Sequence, residues 1–129
     1  MNEPMWRPSA ARVENARMTA FLREVRSPWQ ADIDDYPALY RWSIEQPALF
    51  WQSVWDFCGI LASRAPRAVV AGFDRMPGAR WFPGARLNFA ENLLRYRDDR
   101  RALVFWNESG FRRSLSYAEL HREVRALAR

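Results

Sequence analysis

The spacing of apolar residues predicts that the chain begins with helices. Val13, Phe21 and Val25 lie four or eight positions apart, so they share one face of a helix expected to start after Ser9 and to run to about Arg26. The Ser9 hydroxyl is a suitable N-cap because it can accept a hydrogen bond from an early backbone N–H. The Ser-Pro pair after Arg26 predicts the end of this helix, since the residue before a proline disfavours the helical conformation.

Two shorter helices are predicted next, over about 36–46 and 47–58. Asp34 or Asp35 is the expected cap of the first, with a proline tolerated in its opening turn. The second is apolar over most of its circumference, so it is expected to be largely buried. Cys58 ends this helix in an apolar setting and is therefore predicted to be a buried structural thiol.

The second half of the chain predicts turns, a short helix and then a strand. Residues 60–87 are irregular and rich in Pro-Gly turn signals, and Asn88 is expected to cap a helix through Leu94. The continuous apolar run 102–106 predicts a strand that is buried on both faces. In this chain taken by itself the strand would lack neighbours, so an exposed sheet edge and marginal solubility are expected.

A return strand and a final helix are predicted after a Glu-Ser-Gly turn. The strand is expected over 112–115, which makes a hairpin with the preceding run. Ser116 and Glu119 match the capping box, in which each side chain satisfies an early backbone N–H. The pattern stops at Arg129 without a glycine cap or a proline, which is typical of an incomplete domain.

The charge distribution indicates possible phosphate-bearing partners but no catalytic chemistry. The net charge is +5, with −2 over residues 1–60 and +7 over residues 61–129. A basic half could attract the phosphates of nucleic acids or nucleotides, although mixed surface charge usually serves solvation. All 20 cationic side chains are arginine. Without lysine the chain cannot form a Schiff base or a Walker-type phosphate loop.

Few side chains offer catalytic or metal-binding chemistry. One cysteine and one histidine exclude an intrachain disulfide and a Cys/His zinc site. His121 is the only base available to a Ser or Cys nucleophile, but it lies on an exposed-looking helix flank, so no catalytic role is predicted. Asp32, Asp34 and Asp35 lack the glycine and distal glutamate of a calcium loop, and capping and solvation are the preferred interpretation. No signal peptide or membrane span is predicted.

One segment carries a family resemblance. Residues 81–94 read W-F-P-G-A-R-L-N-F-A-E-N-L-L, which resembles a signature near the N-terminus of acyl-CoA synthetases. The acetyl-CoA synthetase branch has a second glycine where this chain has Ala85. The sequence of the segment is similar to that of the acetoacetyl-CoA synthetase branch instead. Residues 6–9, 35–43 and 50–57 are similar to that branch, and residues 115–120 match the first core motif of adenylate-forming enzymes, L-[TS]-Y-x-E-L. The signature positions, expected to have structural roles, are Trp81, Phe82, Gly84, Leu87, Asn88, Asn92, Ser116, Tyr117, Glu119 and Leu120.

The resemblance implies a fold class and a domain organisation. The covered part is expected to be α+β, with N-terminal helices followed by a hairpin and a helix that begin the α/β large domain of an adenylate-forming enzyme. Residues 1–94 would be the acetyl-CoA synthetase-like N-terminal helical region. Residues 95–129 would be the incomplete start of the AMP-binding domain.

The resemblance also implies an activity for a longer protein. ATP, acetoacetate and CoA would give acetoacetyl-CoA, AMP and diphosphate through an acyl-adenylate, with Mg²⁺ neutralising phosphate charge. The family's catalytic, ATP-binding and CoA-binding motifs have no match here, so this chain is expected to hold no cofactor and to be an inactive scaffold in isolation. The expected partner is the remainder of a cytoplasmic synthetase, with no nucleic acid and no membrane.

Two other functions compete with the ligase interpretation. A free-standing helical interaction module would dock on another protein through exposed aromatic side chains. A basic nucleic-acid-binding domain would use the arginines and tryptophans for phosphate contacts and stacking. The acidic first half and the helical spacing of the tryptophans disfavour this last alternative.

Overall fold

The computed structural model describes residues 4–29 and 32–128, which form helices and two small antiparallel sheets. The elements are α1 (Ala10–Glu14), α2 (Arg17–Trp29), α3 (Tyr36–Glu45), α4 (Pro47–Phe57), β1 (Val70–Ala71), β2 (Arg80–Trp81), α5 (Phe89–Leu93), β3 (Arg101–Asn107), β4 (Gly110–Ser116) and α6 (Tyr117–Leu127). The predicted α+β class is confirmed.

The chain divides into two compact units. One contains the residues up to Ile60 together with Arg67–Pro83, and we call it the helical unit. The other contains Leu61–Pro66 and the residues from Gly84 onward, and we call it the hairpin unit. Each unit is described by itself below.

The first predicted helix is two helices. Ser9 caps α1 as expected, with its hydroxyl accepting from the Arg12 N–H at 3.3 Å. The helix then stops at Asn15, whose side-chain amide donates to the Ala11 carbonyl at 2.8 Å. A side chain that bonds locally to the backbone competes with helix propagation, which explains the break. The second helix extends to Trp29, past the predicted end.

The caps of α3 and α4 follow the prediction closely. Asp35 caps α3, with Oδ1 accepting from the Ala38 N–H at 2.8 Å. Pro47 begins α4, where its missing N–H costs nothing. Gly59 follows the C-cap residue at φ +57°, a left-handed conformation that lets the chain leave the helix.

The buried core lies entirely in the helical unit. Its members come from α2, α3 and the segment between them, and they are Phe21, Val25, Ile33, Leu39 and Trp42. Helix α4 adds aromatic contacts, with Phe50 edge-on to Phe21 at a centroid distance of 6.1 Å. These residues hold the three helices together.

Helix α4 is less buried than its composition predicted. Only Ser53 is buried along α4, whereas Trp51 is 41% exposed. Cys58 is exposed, so the prediction of a buried thiol was wrong. It follows the last turn of α4 and lines an open groove, beside Val54 and Phe57, which pack against the core.

The hairpin is confirmed, but the burial of its first strand is not. Strand β3 pairs with β4 in an antiparallel register that sets Val104 opposite Ser114. Phe105 is 58% exposed and Trp106 is 64% exposed, so the predicted burial on both faces was wrong for the residues that the structure describes. A two-stranded ribbon with one helix against it cannot cover both faces of an apolar strand.

None of the described helices is long and apolar enough to cross a membrane.

Candidate functional site

The first part of the signature packs within the helical unit. Strand β2 pairs with β1 so that Trp81 lies opposite Val70. The Trp81 ring stands edge-on to Trp51 at 5.6 Å and to Phe73 at 6.0 Å between centroids. Such edge-to-face pairs stabilise beyond the area they bury. This contact attaches the turn-rich segment to α4.

Phe82 combines an unusual backbone angle with a ring contact. Its φ is +45°, a left-handed conformation that residues other than glycine adopt rarely. Its N–H donates to the Val69 carbonyl at 2.7 Å, and its ring lies 4.5 Å from that of Trp55. The next residue, Pro83, accepts a hydrogen bond from the Arg67 N–H at 2.9 Å. These contacts hold the angle in place.

The second part of the signature belongs to the hairpin unit and starts with a turn. Gly84 has φ +86°, which fits the expectation that glycine is required at this position. Its carbonyl accepts from Arg64 Nε at 2.7 Å. The Arg86 carbonyl accepts from the Ser63 N–H at 2.8 Å, and Arg86 N–H donates to Arg64 O at 3.0 Å. The turn is therefore paired along its backbone with residues 61–66.

Asn88 and Asn92 fix α5. The predicted cap is confirmed, because Asn88 Oδ1 accepts from the Glu91 N–H at 3.2 Å. Asn92 Oδ1 accepts from the Leu61 N–H at 2.8 Å, and its Nδ2 donates to the Leu61 carbonyl at 2.9 Å. The amide of Asn92 thus pairs with Leu61 as a second strand would. Leu87, between the turn and the helix, is 47% exposed.

The capping box at the start of α6 is confirmed in both directions. Ser116 Oγ accepts from the Glu119 N–H at 3.2 Å, and Glu119 Oε2 accepts from the Ser116 N–H at 2.8 Å. The backbone N–H of Ser116 is the main reason that the pKa of Glu119 lies below its ordinary value. Leu120, one residue further on, is half-buried.

A cluster around Tyr117 was missed by the sequence analysis. The ring of Tyr117 lies 5.7 Å from the ring of Tyr96, and the guanidinium of Arg100 lies 4.8 Å from the Tyr96 centroid. Arg100 also binds Asp98 through both carboxylate oxygens, at 2.7 to 3.0 Å. These hydrogen bonds have the largest effect on the pKa of both groups. They hold the pKa of Asp98 below its ordinary value and raise the pKa of Arg100. Only the alternation of arginine, aspartate and tyrosine could have signalled this arrangement.

A groove in the helical unit has an apolar lining. It has a volume of about 400 Å³ and lies among α2, α3 and α4. Phe21, Leu39 and Phe50 line it, together with Arg17 and Cys58. The Arg17 guanidinium rests 4.7 Å from the centre of the Phe57 ring. The groove therefore offers apolar surface with one cation.

The remaining candidates do not assemble a reactive centre. His121 is half-buried and lines a cleft of about 450 Å³ together with Asn88, Arg95 and Arg97, and no Ser or Cys side chain lines that cleft. Asp34 forms an ion pair with Arg26 at 2.6 Å instead of joining Asp35. Among residues 4–29 and 32–128, no three His, Cys, Asp or Glu side chains come together as ligands for a metal ion.

Comparison with known proteins agrees with this architecture. The sequence profile of the family described as "Acetyl-coenzyme A synthetase N-terminus" matches residues 36–93. Acetoacetyl-coenzyme A synthetase from Rhizobium meliloti is 39% identical over 96% of this chain. The structure of acetoacetyl-CoA synthetase from Streptomyces lividans superimposes with a TM-score of 0.78 over 99% of this chain, at 35% identity.

The chain resembles the N-terminal part of acetoacetyl-CoA synthetases over nearly its whole length.

The chain spans only about a fifth of the length of the relatives it matches. It covers 18% of the Rhizobium meliloti protein and 21% of the Streptomyces lividans chain. A further relative is malonamoyl-CoA synthetase vrtB from Penicillium aethiopicum, which is 38% identical over 95% of this chain. The match covers 18% of the length of that relative. The predicted resemblance to the N-terminal region of this family is confirmed.

Proposed function

We propose that this chain provides the N-terminal region of an acetoacetate–CoA ligase. The structural match to an acetoacetyl-CoA synthetase along nearly the whole chain supports this proposal most directly. In the proposed reaction the acetoacetate carboxylate attacks ATP to give acetoacetyl-adenylate and diphosphate. The CoA thiol then attacks the acyl carbon, and AMP leaves as acetoacetyl-CoA forms.

In this proposal residues 1–94 are the N-terminal helical region and residues 95–129 begin the AMP-binding domain. The remainder of a cytoplasmic synthetase would contact this region and supply the groups that bind ATP and CoA. Magnesium bound there would neutralise phosphate charge during adenylation. The described residues of this chain do not form a metal-binding cluster, so we assign them no step that uses a metal.

The proposed contribution of this chain is structural. Signature side chains contact the backbone or neighbouring rings. Asn92 forms hydrogen bonds with the Leu61 backbone, and the Phe82 ring packs on the Trp55 ring. These contacts fix the path of the chain from the helices into the hairpin. They do not present a nucleophile, a base or a phosphate-binding loop.

Acetoacetate is the proposed acid, although the sequence of this region is about equally similar to relatives named for two different acids. Relatives named for acetoacetyl-CoA and for malonamoyl-CoA match the chain at 39% and 38% identity. An acid-specific region would be expected to separate them more clearly. Acetoacetate is preferred because the structural neighbour also carries that name.

The scaffold role can be tested with the purified chain. The chain is mixed with ATP, Mg²⁺, CoA and acetoacetate, and AMP is measured by chromatography. We expect no AMP above the level without acetoacetate. Acetoacetate-dependent AMP release by this chain would overturn the proposal.

The family role can be tested with a chimaera. This chain replaces the matching fifth of the Streptomyces lividans enzyme, and a second protein lacks that fifth altogether. We expect acetoacetate-dependent AMP release from the chimaera and none from the deletion. A folded chimaera that releases no AMP with acetoacetate would overturn the proposed role.

A further inference from the structure

The first turn of α6 takes its hydrogen-bond partners from two places in the hairpin unit. The first N–H groups of a helix have no partner within the helix itself. The capping box satisfies two of them in α6. The other two donate to the loop that precedes β3, since the Tyr117 N–H bonds to the Arg100 carbonyl at 3.0 Å and the Ala118 N–H bonds to the Asp98 carbonyl at 3.0 Å. The loop thus supplies half of the bonds that cap α6.

The two loop residues that accept from α6 are also bonded to each other. Asp98 Oδ1 accepts from the Arg100 backbone N–H at 3.1 Å. The same carboxylate accepts from Arg100 Nε at 2.9 Å and, through Oδ2, from Nη2 at 2.7 Å. Two parallel bonds between a guanidinium and a carboxylate fix the direction as well as the distance of the pair. This pairing holds both loop carbonyls in the positions that α6 uses.

Two aromatic rings join the loop to the helix on the same guanidinium. Its carbon lies 4.8 Å from the ring centre of Tyr96 in the loop and 5.7 Å from that of Tyr117, the first residue of α6. Cations lying within about 6 Å of a ring centre are attracted to the ring. An exposed ion pair alone stabilises little, but a two-pronged pair within a network is an exception to that rule. Arg100 has both features.

We propose that these contacts form a latch centred on Arg100, which fixes residues 96–100 to the start of α6 and makes this charged stretch a rigid joint. Arg100 acts as a positioning residue, because it holds the two carbonyls rather than bonding to α6 with its own side chain. Strand β3 begins at Arg101, so the latch sets the direction in which the chain enters the hairpin. Under the proposed function this strand is the first of the AMP-binding domain. The rigidity of the joint does not depend on that function.

Hydrogen exchange at single amides tests the latch. Arg100→Gln should speed exchange of the Tyr117 and Ala118 N–H groups at least tenfold, because the carbonyls that accept from them are no longer held in place. Arg113→Gln is the matched control, since it breaks the exposed ion pair with Glu123 in the same unit and should change neither amide. Unchanged exchange in Arg100→Gln, or equal acceleration in both variants, would overturn the proposal.

Nuclear relaxation of the backbone tests the rigidity of residues 96–100. We expect order parameters of about 0.85 in the parent, as in regular secondary structure, and below about 0.6 in Arg100→Gln. Arg100→Lys keeps the charge but cannot form the fork with Asp98, so it should resemble Arg100→Gln. Tyr96→Phe keeps the ring and should resemble the parent. Low order parameters in the parent would contradict a rigid joint, and a lysine variant that matches the parent would show that charge alone is sufficient and would overturn the role of the fork.

Discussion

The helical unit and the hairpin unit are stabilised by different interactions. Every buried residue among those described lies in the helical unit, where Val25 and Ile33 are almost completely enclosed. The described part of the hairpin unit has no buried side chain and depends on hydrogen bonds to Asn92, a capping box and the cluster around Tyr96. Burial of apolar surface provides most folding free energy, whereas single hydrogen bonds contribute little net. We therefore expect the hairpin unit to open first.

Removing a core side chain should give the largest effect. Trp42→Ala deletes a buried indole that stands 6.0 Å from Phe50, and such changes cost about 3–5 kcal/mol. We expect a loss of this size in the free energy of unfolding in urea. Tyr40→Ala on the same helix is the control, because Tyr40 is 56% exposed. Equal losses from both variants would contradict a core confined to the inward face of α3.

Removing the Asn92 amide should give an intermediate effect confined to the hairpin unit. Asn92→Leu leaves the Leu61 N–H and carbonyl to water, since Leu61 is 42% exposed, so each lost hydrogen bond costs about 0.5–1.5 kcal/mol. Hydrogen exchange should become faster in α5 and around Leu61 while the core amides of α2 keep their protection. Glu91→Gln on the same helix is the control and should change neither. Faster exchange throughout the chain would show that the two units do not open separately.

The smallest predicted effect is a dependence on pH from the capping box. The pKa of Glu119 is lowered from 4.5 on folding, so its contribution is complete above that value and is lost as pH falls through the folded pKa. We expect Glu119→Gln to be less stable than the parent at pH 7, with the difference disappearing once the pH falls below the folded pKa of Glu119. Thermal unfolding of both proteins across this range measures it. Glu108→Gln in the hairpin turn is the control, and an identical profile for that variant would contradict the assignment.

Helix ends were predictable because caps depend on neighbours in sequence. Ser9, Asp35, Asn88 and Ser116 each accept a hydrogen bond from the backbone N–H three residues later. Ser9, Asn88 and Ser116 were predicted as caps, and for α3 the prediction was Asp34 or Asp35. Asn15 shows the limit of such reasoning. Its local bond to Ala11 competes with a continuous apolar face, and the pattern alone does not decide which prevails.

Contacts between distant positions were not predictable from the same patterns. The amide of Asn92 pairs with Leu61, which is 31 residues away in a stretch that the sequence marks only as irregular. Arg100 likewise joins two tyrosines, although its surroundings resemble an ordinary charged loop. In both cases the side chain is polar and could equally well face water.

The sequence by itself determined the α+β class, the caps, the hairpin and the family resemblance, because these depend on short patterns of residue type. Only the tertiary structure decided which apolar residues are covered. Cys58 and β3 lie in stretches with a composition typical of an interior, yet both are exposed. An apolar stretch is buried only where another element of the fold packs against it, and its own composition does not determine that. The core gathered instead where three helices enclose Val25 on all sides.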